Sequence, residues 1–177
     1  MRIVSWQTLD EAGRRAALAR PAQETRAEVA ASVREIVAEV RRDGDAALRR
    51  YTERFDGARI ERFAVTSSEF AAARAALDVA QIAALERAVD NVTTFHSAQL
   101  LAPLAVEVMP GVRCERIVRP IAAVGLYVPA GLAPLPSAVV MLAVPARLAG
   151  CPQRVLCTPP RRDGTADPGV LTAARPP

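Results

Sequence analysis

The sequence contains no lysine; all 23 of its basic residues are arginine. That absence excludes a phosphate-binding loop built on a lysine and any Schiff-base chemistry, since both need a lysine amine. It has a single histidine, His96, too few for a zinc site, and no triad partners stand near it in sequence. Following Phe95 near the end of a predicted helix, His96 reads as structural, because a protonated ring there complements the helix dipole. The three cysteines, Cys114, Cys151 and Cys157, are odd in number and follow no metal-ligand spacing, so they are expected to be buried and reduced. Arg113 and Arg116 flank Cys114, but strand alternation turns Cys114 away from Arg113, which weakens any case for a nucleophile. Aromatic residues are only 4% of a chain that is 51% hydrophobic and rich in alanine, so the core should be thin for its length. No apolar run reaches 18 residues; the longest, around Val139, is interrupted by Pro145. The opening stretch MRIVSWQTLDEAGRR carries acids and lacks the apolar core of a signal peptide. A soluble, cytoplasmic protein with no membrane partner is expected.

The formal charge of +4 is unevenly spread. Residues 1–100 hold 15 arginines and 15 acids, whereas residues 101–177 hold 8 arginines and 4 acids. The excess lies over predicted strands and loops without interleaved aromatics. That pattern argues against a nucleic-acid surface and suits an anionic cofactor better.

The stretch Arg119 to Cys157 organises the rest. Ile121 to Val128 is a short run, apolar on both faces, as in a parallel strand covered on both sides. The next residues, Pro129 to Pro136, are too rich in proline and glycine to continue a strand or helix. Ser137 is placed to cap a helix through Val139, Val140, Met141, Leu142 and Val144, with Gly150 as its stop. A second apolar run, Val155 to Cys157, closes a β-loop-α-β crossover, expected to be right-handed. In such units ligands bind at the carboxyl end of the strand, where Tyr127 is the last large side chain. Tyr127 either stacks on a planar ring there or belongs to the core. Gly125 and Gly131 do not have the G-x-G-x-x-G spacing of a dinucleotide fingerprint.

Upstream, residues 1–22 read as an arm with a strand near Ile3 to Trp6 and a helix from Asp10 to Leu18. Glu24 to Arg42 is amphipathic, with Val29, Val33, Ile36, Val37 and Val40 on one face. A second helix follows Gly44, with Leu48, Tyr51 and Phe55 on its apolar face. Arg62 to Val65 suggests a short strand, and Thr66 to Glu69 forms a capping box for a helix through Leu77. Asp78 to Gln99 is a longer helix with Ile82, Leu85, Val89, Val92 and Phe95 on its buried stripe. Leu104 to Met109 and Val112 to Val118, joined by Pro110-Gly111, predict a hairpin that packs on or projects beyond the main domain.

The predicted class is α/β: an amino-terminal helical region and β-hairpin followed by the first βαβ unit of an incomplete Rossmann-like domain. Expected divisions are an arm at 1–22, a helical part of a first α/β domain with the hairpin at 23–120, and the start of a nucleotide-binding domain at 121–177. A lone crossover lacks the strands of a doubly wound sheet, so the chain is expected to be truncated.

The run GLYVPAGLAPLPSAVVMLAVPARLAGC resembles the histidinol dehydrogenase family. So do RRDGDAALRRYTERFDG, NVTTFHSAQ and PGVRCERIVRP, in the family's order, so that the resemblance covers about Arg20 to Asp163. It implies a homodimeric, NAD-dependent, zinc-containing oxidoreductase acting on a small-molecule substrate. The reaction is oxidation of L-histidinol to L-histidinaldehyde and then L-histidine, the last steps of histidine biosynthesis. It assigns cofactor contact to Tyr127, with Pro129 shaping the same wall. The family's general base and zinc ligands lie downstream of the matched motifs, so no catalytic or metal residue is carried over, and the isolated chain is expected to be inactive. Where the family has Pro-Gly-Gly, this sequence has Pro129-Ala130-Gly131; a positive φ at Ala130 would strain the loop. Alternatives are a relative that oxidises another small alcohol, or a non-catalytic nucleotide-binding or dimerisation module.

Overall fold

The computed structural model describes residues 4–19, 27–130 and 133–175. The chain forms two compact units, Met1–Gly44 and Asp45–Pro177. In the first, Trp6–Thr8 form a 3-10 turn, not the expected strand; Ile3 lies outside the described residues. Arg14 holds that turn, its guanidinium 5.3 Å from the Trp6 ring centroid and its Nε donating to the Trp6 carbonyl. Helix α1, Glu11–Leu18, is capped by Asp10, whose side chain accepts from the Gly13 amide at 2.7 Å. Helix α2, Ala27–Asp43, buries no residue, and Val29, Val33 and Val37 of its apolar stripe are exposed.

The second unit opens with α3, Asp45–Asp56, where Tyr51 stacks on Phe55 at 5.6 Å. The segment Arg62–Val65 is not a strand. Among the described residues no strand pairs with it; instead Arg49 of α3 donates to the Glu61 carbonyl at 2.6 Å and covers the Phe63 ring. A β conformation needs a partner's ladder, and here an arginine supplies the contacts.

Helix α4, Ser67–Ala75, begins with the expected capping box between Thr66 and Glu69. Helix α5, Val79–Ser97, begins with a second box between Asp78 and Gln81. Its stripe Leu85, Val89 and Val92 packs on the core, but Phe95 is exposed, because α5 runs on past its contact with the next helix. That contact still reaches Thr93, whose hydroxyl accepts from Arg147. Strands β1, Leu104–Met109, and β2, Val112–Arg116, form the antiparallel hairpin, every residue of it exposed.

The crossover follows. Strand β3, Ala123–Tyr127, pairs in parallel with β4, Gln153–Cys157, setting Tyr127 beside Cys157. Between them runs α6, Pro136–Leu148. Ser137 does not cap it: Pro136 already occupies the first turn with Leu135 at the cap position, since a fixed φ suits that position. Its end is at Gly150 as expected, with φ +77°; Gly150 and Cys151 amides return to the Arg147 and Ala146 carbonyls. Helix α7, Pro168–Ala174, is capped by Asp167, and its Val170, Leu171, Thr172 and Ala173 are all buried between α4 and α6. The core cluster is Val128, Val139, Val140, Val144, Val170 and Ala173. The mixed architecture matches the α/β class, with helices, an antiparallel hairpin and a parallel pair in the expected order. Among the described residues, no helix is long and apolar enough to cross a membrane.

Two outcomes are expected. Val139→Ala removes a fully buried side chain and should cost about 2–3 kcal/mol in urea unfolding. Val79→Ala, at an 84% exposed position, should stay within about 0.5 kcal/mol. The second concerns acid. Donation from the Thr66 hydroxyl and then its amide holds the Glu69 carboxyl below its ordinary value. A lowered acid stabilises above its unfolded-state pKa of 4.5, and loses that contribution as pH falls through the folded-state value. The stability gap between the unaltered chain and Glu69→Ala should therefore narrow as pH falls below about 4.5.

Candidate functional site

The carboxyl ends of β3 and β4 are fixed by what lies beneath them. Leu126 and Val128 point into the core, Val128 fully buried, and the Val128 amide donates to the Cys157 carbonyl at 2.9 Å. Alternation then turns Tyr127 and Pro129 outward. Both are exposed, Tyr127 at 63%. Of the two readings left open for Tyr127, core or surface, the ring is on the surface. Ala130 does not have a positive φ, so the alanine stands in that loop without backbone strain.

Thr158, the residue after β4, lies at the same end of the sheet. Its hydroxyl is buried without a hydrogen-bond partner. Strand alternation puts it on the side opposite Cys157 and Tyr127, towards the core. Nothing in the residue pattern singled Thr158 out. Beyond it, the loop through Asp163 is held by the Thr165 hydroxyl and amide, which donate to the Asp163 carboxyl and keep its pKa below the ordinary value.

The remaining candidates separate. His96 is half-buried, edge-on to Phe95 at 5.4 Å. Only Cys151 is buried; Cys114 and Cys157 are exposed, contrary to expectation, because both sit on strand faces that no described residue covers. Arg113 beside Cys114 is taken up by Glu115 at 2.6 Å. Among the described residues, no group of three or more histidines, cysteines or acids could hold a metal ion. A second concavity, of about 670 Å³ between α4 and α7, is lined by Phe70, Arg74, Leu171, Thr172 and Arg175. Its arginines are already engaged, Arg74 with Glu86 and Arg175 over the Phe70 ring.

Residues 18–176 match the histidinol dehydrogenase family profile. The chain belongs to the histidinol dehydrogenase family. It is 56% identical over 174 residues to the histidinol dehydrogenase of Xanthomonas oryzae pv. oryzae, covering 98% of this chain and 40% of that protein. The Vibrio cholerae histidinol dehydrogenase is 49% identical over 160 residues, covering 90% of this chain and 37% of its own. The crystal structure of histidinol dehydrogenase from Elizabethkingia anophelis matches with a TM-score of 0.82 and 38% identity, over 88% of this chain and 36% of that one. The chain thus spans about two-fifths of the length of the curated relatives it matches.

Tyr127→Ala should leave the stability of this chain within about 0.5 kcal/mol, since the ring is mostly in solvent. A core tyrosine would instead cost roughly 3–5 kcal/mol. Thermal and urea melts of the variant decide between the two.

Proposed function

We propose that this chain is part of an NAD-dependent histidinol dehydrogenase, the enzyme that oxidises L-histidinol through L-histidinaldehyde to L-histidine. The observation that carries the reading is the 56% identity to the Xanthomonas oryzae enzyme across nearly the whole chain. Within that activity the chain's own role is to bind and orient NAD. Tyr127 offers an exposed aromatic face at the carboxyl end of β3, where open α/β sheets present ligands. Pro129 stiffens the adjoining wall. NAD supplies the hydride acceptor when bound.

Zinc is a different matter. The described residues supply no ligand cluster that would hold it. The homodimeric assembly and cytoplasmic location that the resemblance implies belong to the same proposal.

The test is to compare this chain with a fusion carrying the part of the Xanthomonas oryzae enzyme that it does not match. The chain alone should produce no NADH from histidinol, because the general base and zinc ligands that the resemblance implies lie downstream of the motifs it matches. The fusion should do so, and Tyr127→Ala in the fusion should raise the NAD dissociation constant about fivefold, the equivalent of one aromatic contact near 1 kcal/mol. Histidinol-dependent NADH from the chain alone, free of host enzyme, would overturn the reading. So would unaltered NAD affinity in the variant, for the assignment of Tyr127.

A further inference from the structure

Among the described residues five glycines have a positive φ: Gly44, Gly57, Gly111, Gly150 and Gly164. A Cβ at Gly44, Gly57 or Gly111 would meet nothing within 4 Å, and at Gly150 it would make ordinary contact with Pro120. Gly164 differs. Its φ is +82°, and a Cβ there would stand 3.3 Å from the Arg59 carbonyl oxygen and 3.5 Å from Ile60 Cγ2. Backbone conformation and close approach both call for glycine at this one position.

Neither side of that contact is free to recede. Ala58, just before the carbonyl, is fully buried, and the Arg59 side chain reaches back to Glu53 of α3 at 2.7 Å. Beyond it Arg49, also on α3, donates to the Glu61 carbonyl at 2.6 Å. The exposed Arg59–Glu53 pair adds little alone, so the burial of Ala58 is the firmer anchor. Across the contact, the Arg161 amide donates to the Thr165 carbonyl at 2.7 Å and the Gly164 amide to the Arg161 carbonyl at 2.9 Å. Two residues after Thr165, Asp167 caps α7, whose Val170 is fully buried.

The turn is short of the sheet by only three residues. Thr158, Pro159 and Pro160 join it to Cys157, which pairs with Tyr127 at the carboxyl ends of β4 and β3. Two prolines fix φ in that connection, so a displaced turn displaces the connection with it. Ligands of open α/β sheets lie outside the carboxyl ends of the strands, so the connections after β3 and after β4 both border the site. We infer that residues 158–162 form the second rim of the cofactor site, opposite Tyr127 and Pro129, and that Gly164 is its positioning residue. Gly164 acts by seating the turn on the 58–60 loop, without touching the cofactor. The inference rests on the reading that NAD binds at this edge.

The fusion with the unmatched part of the Xanthomonas oryzae enzyme carries the test. Gly164→Ala should raise its NAD dissociation constant about tenfold and leave the KM for histidinol within about twofold. Gly111→Ala is the matched control, with φ +80° and open space for a Cβ. It should lower the melting midpoint, as a strained alanine does, and leave NAD affinity unaltered. Gly164→Asn separates backbone from contact, since asparagine visits the left-handed region yet carries a Cβ. NAD binding should stay weakened in it, and this milder variant decides the matter if Gly164→Ala does not fold. An unaltered fusion that binds no NAD would overturn the NAD reading and this inference together. NAD bound by the Gly164 variants as tightly as by the unaltered fusion would overturn this inference alone. So would an equal loss in Gly111→Ala, or a KM for histidinol that rises in step with the NAD dissociation constant.

Discussion

Helix α6 has almost no polar surface, and the second unit is arranged by the need to cover it. Val139, Val140 and Val144 meet Val128 from the end of β3, Val170 and Ala173 from α7, and Leu85, Val89 and Val92 from α5. Each contact removes apolar area from water at about 25 cal/mol per Å², and no aromatic ring contributes to this cluster. The core is as thin as the composition implies, so it depends on close packing of small branched side chains rather than on a few large ones. The position of Tyr127 follows from the same constraint. Val128 is committed to the valine cluster, and a strand whose residue 128 points inward must turn residue 127 outward.

Features set by nearby residues were legible in the sequence. The Thr66–Glu69 box, the Pro110-Gly111 hairpin and the Gly150 stop each depend on a few side chains and a local backbone preference. Features set by distant partners were not. Arg62–Val65 has strand-like residues, but its contacts come from Arg49, thirteen positions upstream of Arg62. Phe95 falls on the right face of α5, yet the helix that would cover it ends near Arg147. Ser137 has a good capping side chain, but the neighbouring Pro136 starts the helix and moves the cap to Leu135, two residues earlier.

The candidate site divides the same way. Alternation alone could not say which side of the sheet the core lies on, so Tyr127 stayed open between core and surface until α6 was placed. Pro129 and Ala130 were visible as a stiff loop, and the absence of a positive φ at Ala130 could only come from coordinates. Thr158 had no signal at all. A hydroxyl becomes informative when it is buried without a partner, and that depends on what the rest of the chain fails to provide.

The exposed apolar surface of the second unit is also patterned, which bears on its cause. In the hairpin, Leu104 and Val106 share a face with Cys114 and Arg116, while Ala105, Glu107, Arg113 and Glu115 share the other, where Arg113 and Glu115 form an ion pair. That is the alternation of a strand pair with one face buried, although all of it is exposed here. A solvent-exposed hairpin has no use for such alternation, and a two-stranded ribbon alone is barely stable in water. The β3–β4 sheet departs in the same sense, with Val155, Tyr127 and Cys157 on its open face, and α6 does so through Met141. The sorting is strong but incomplete: Arg116 stands on the apolar face of the hairpin and Gln153 on the open face of β3–β4, each at the end of an otherwise apolar row.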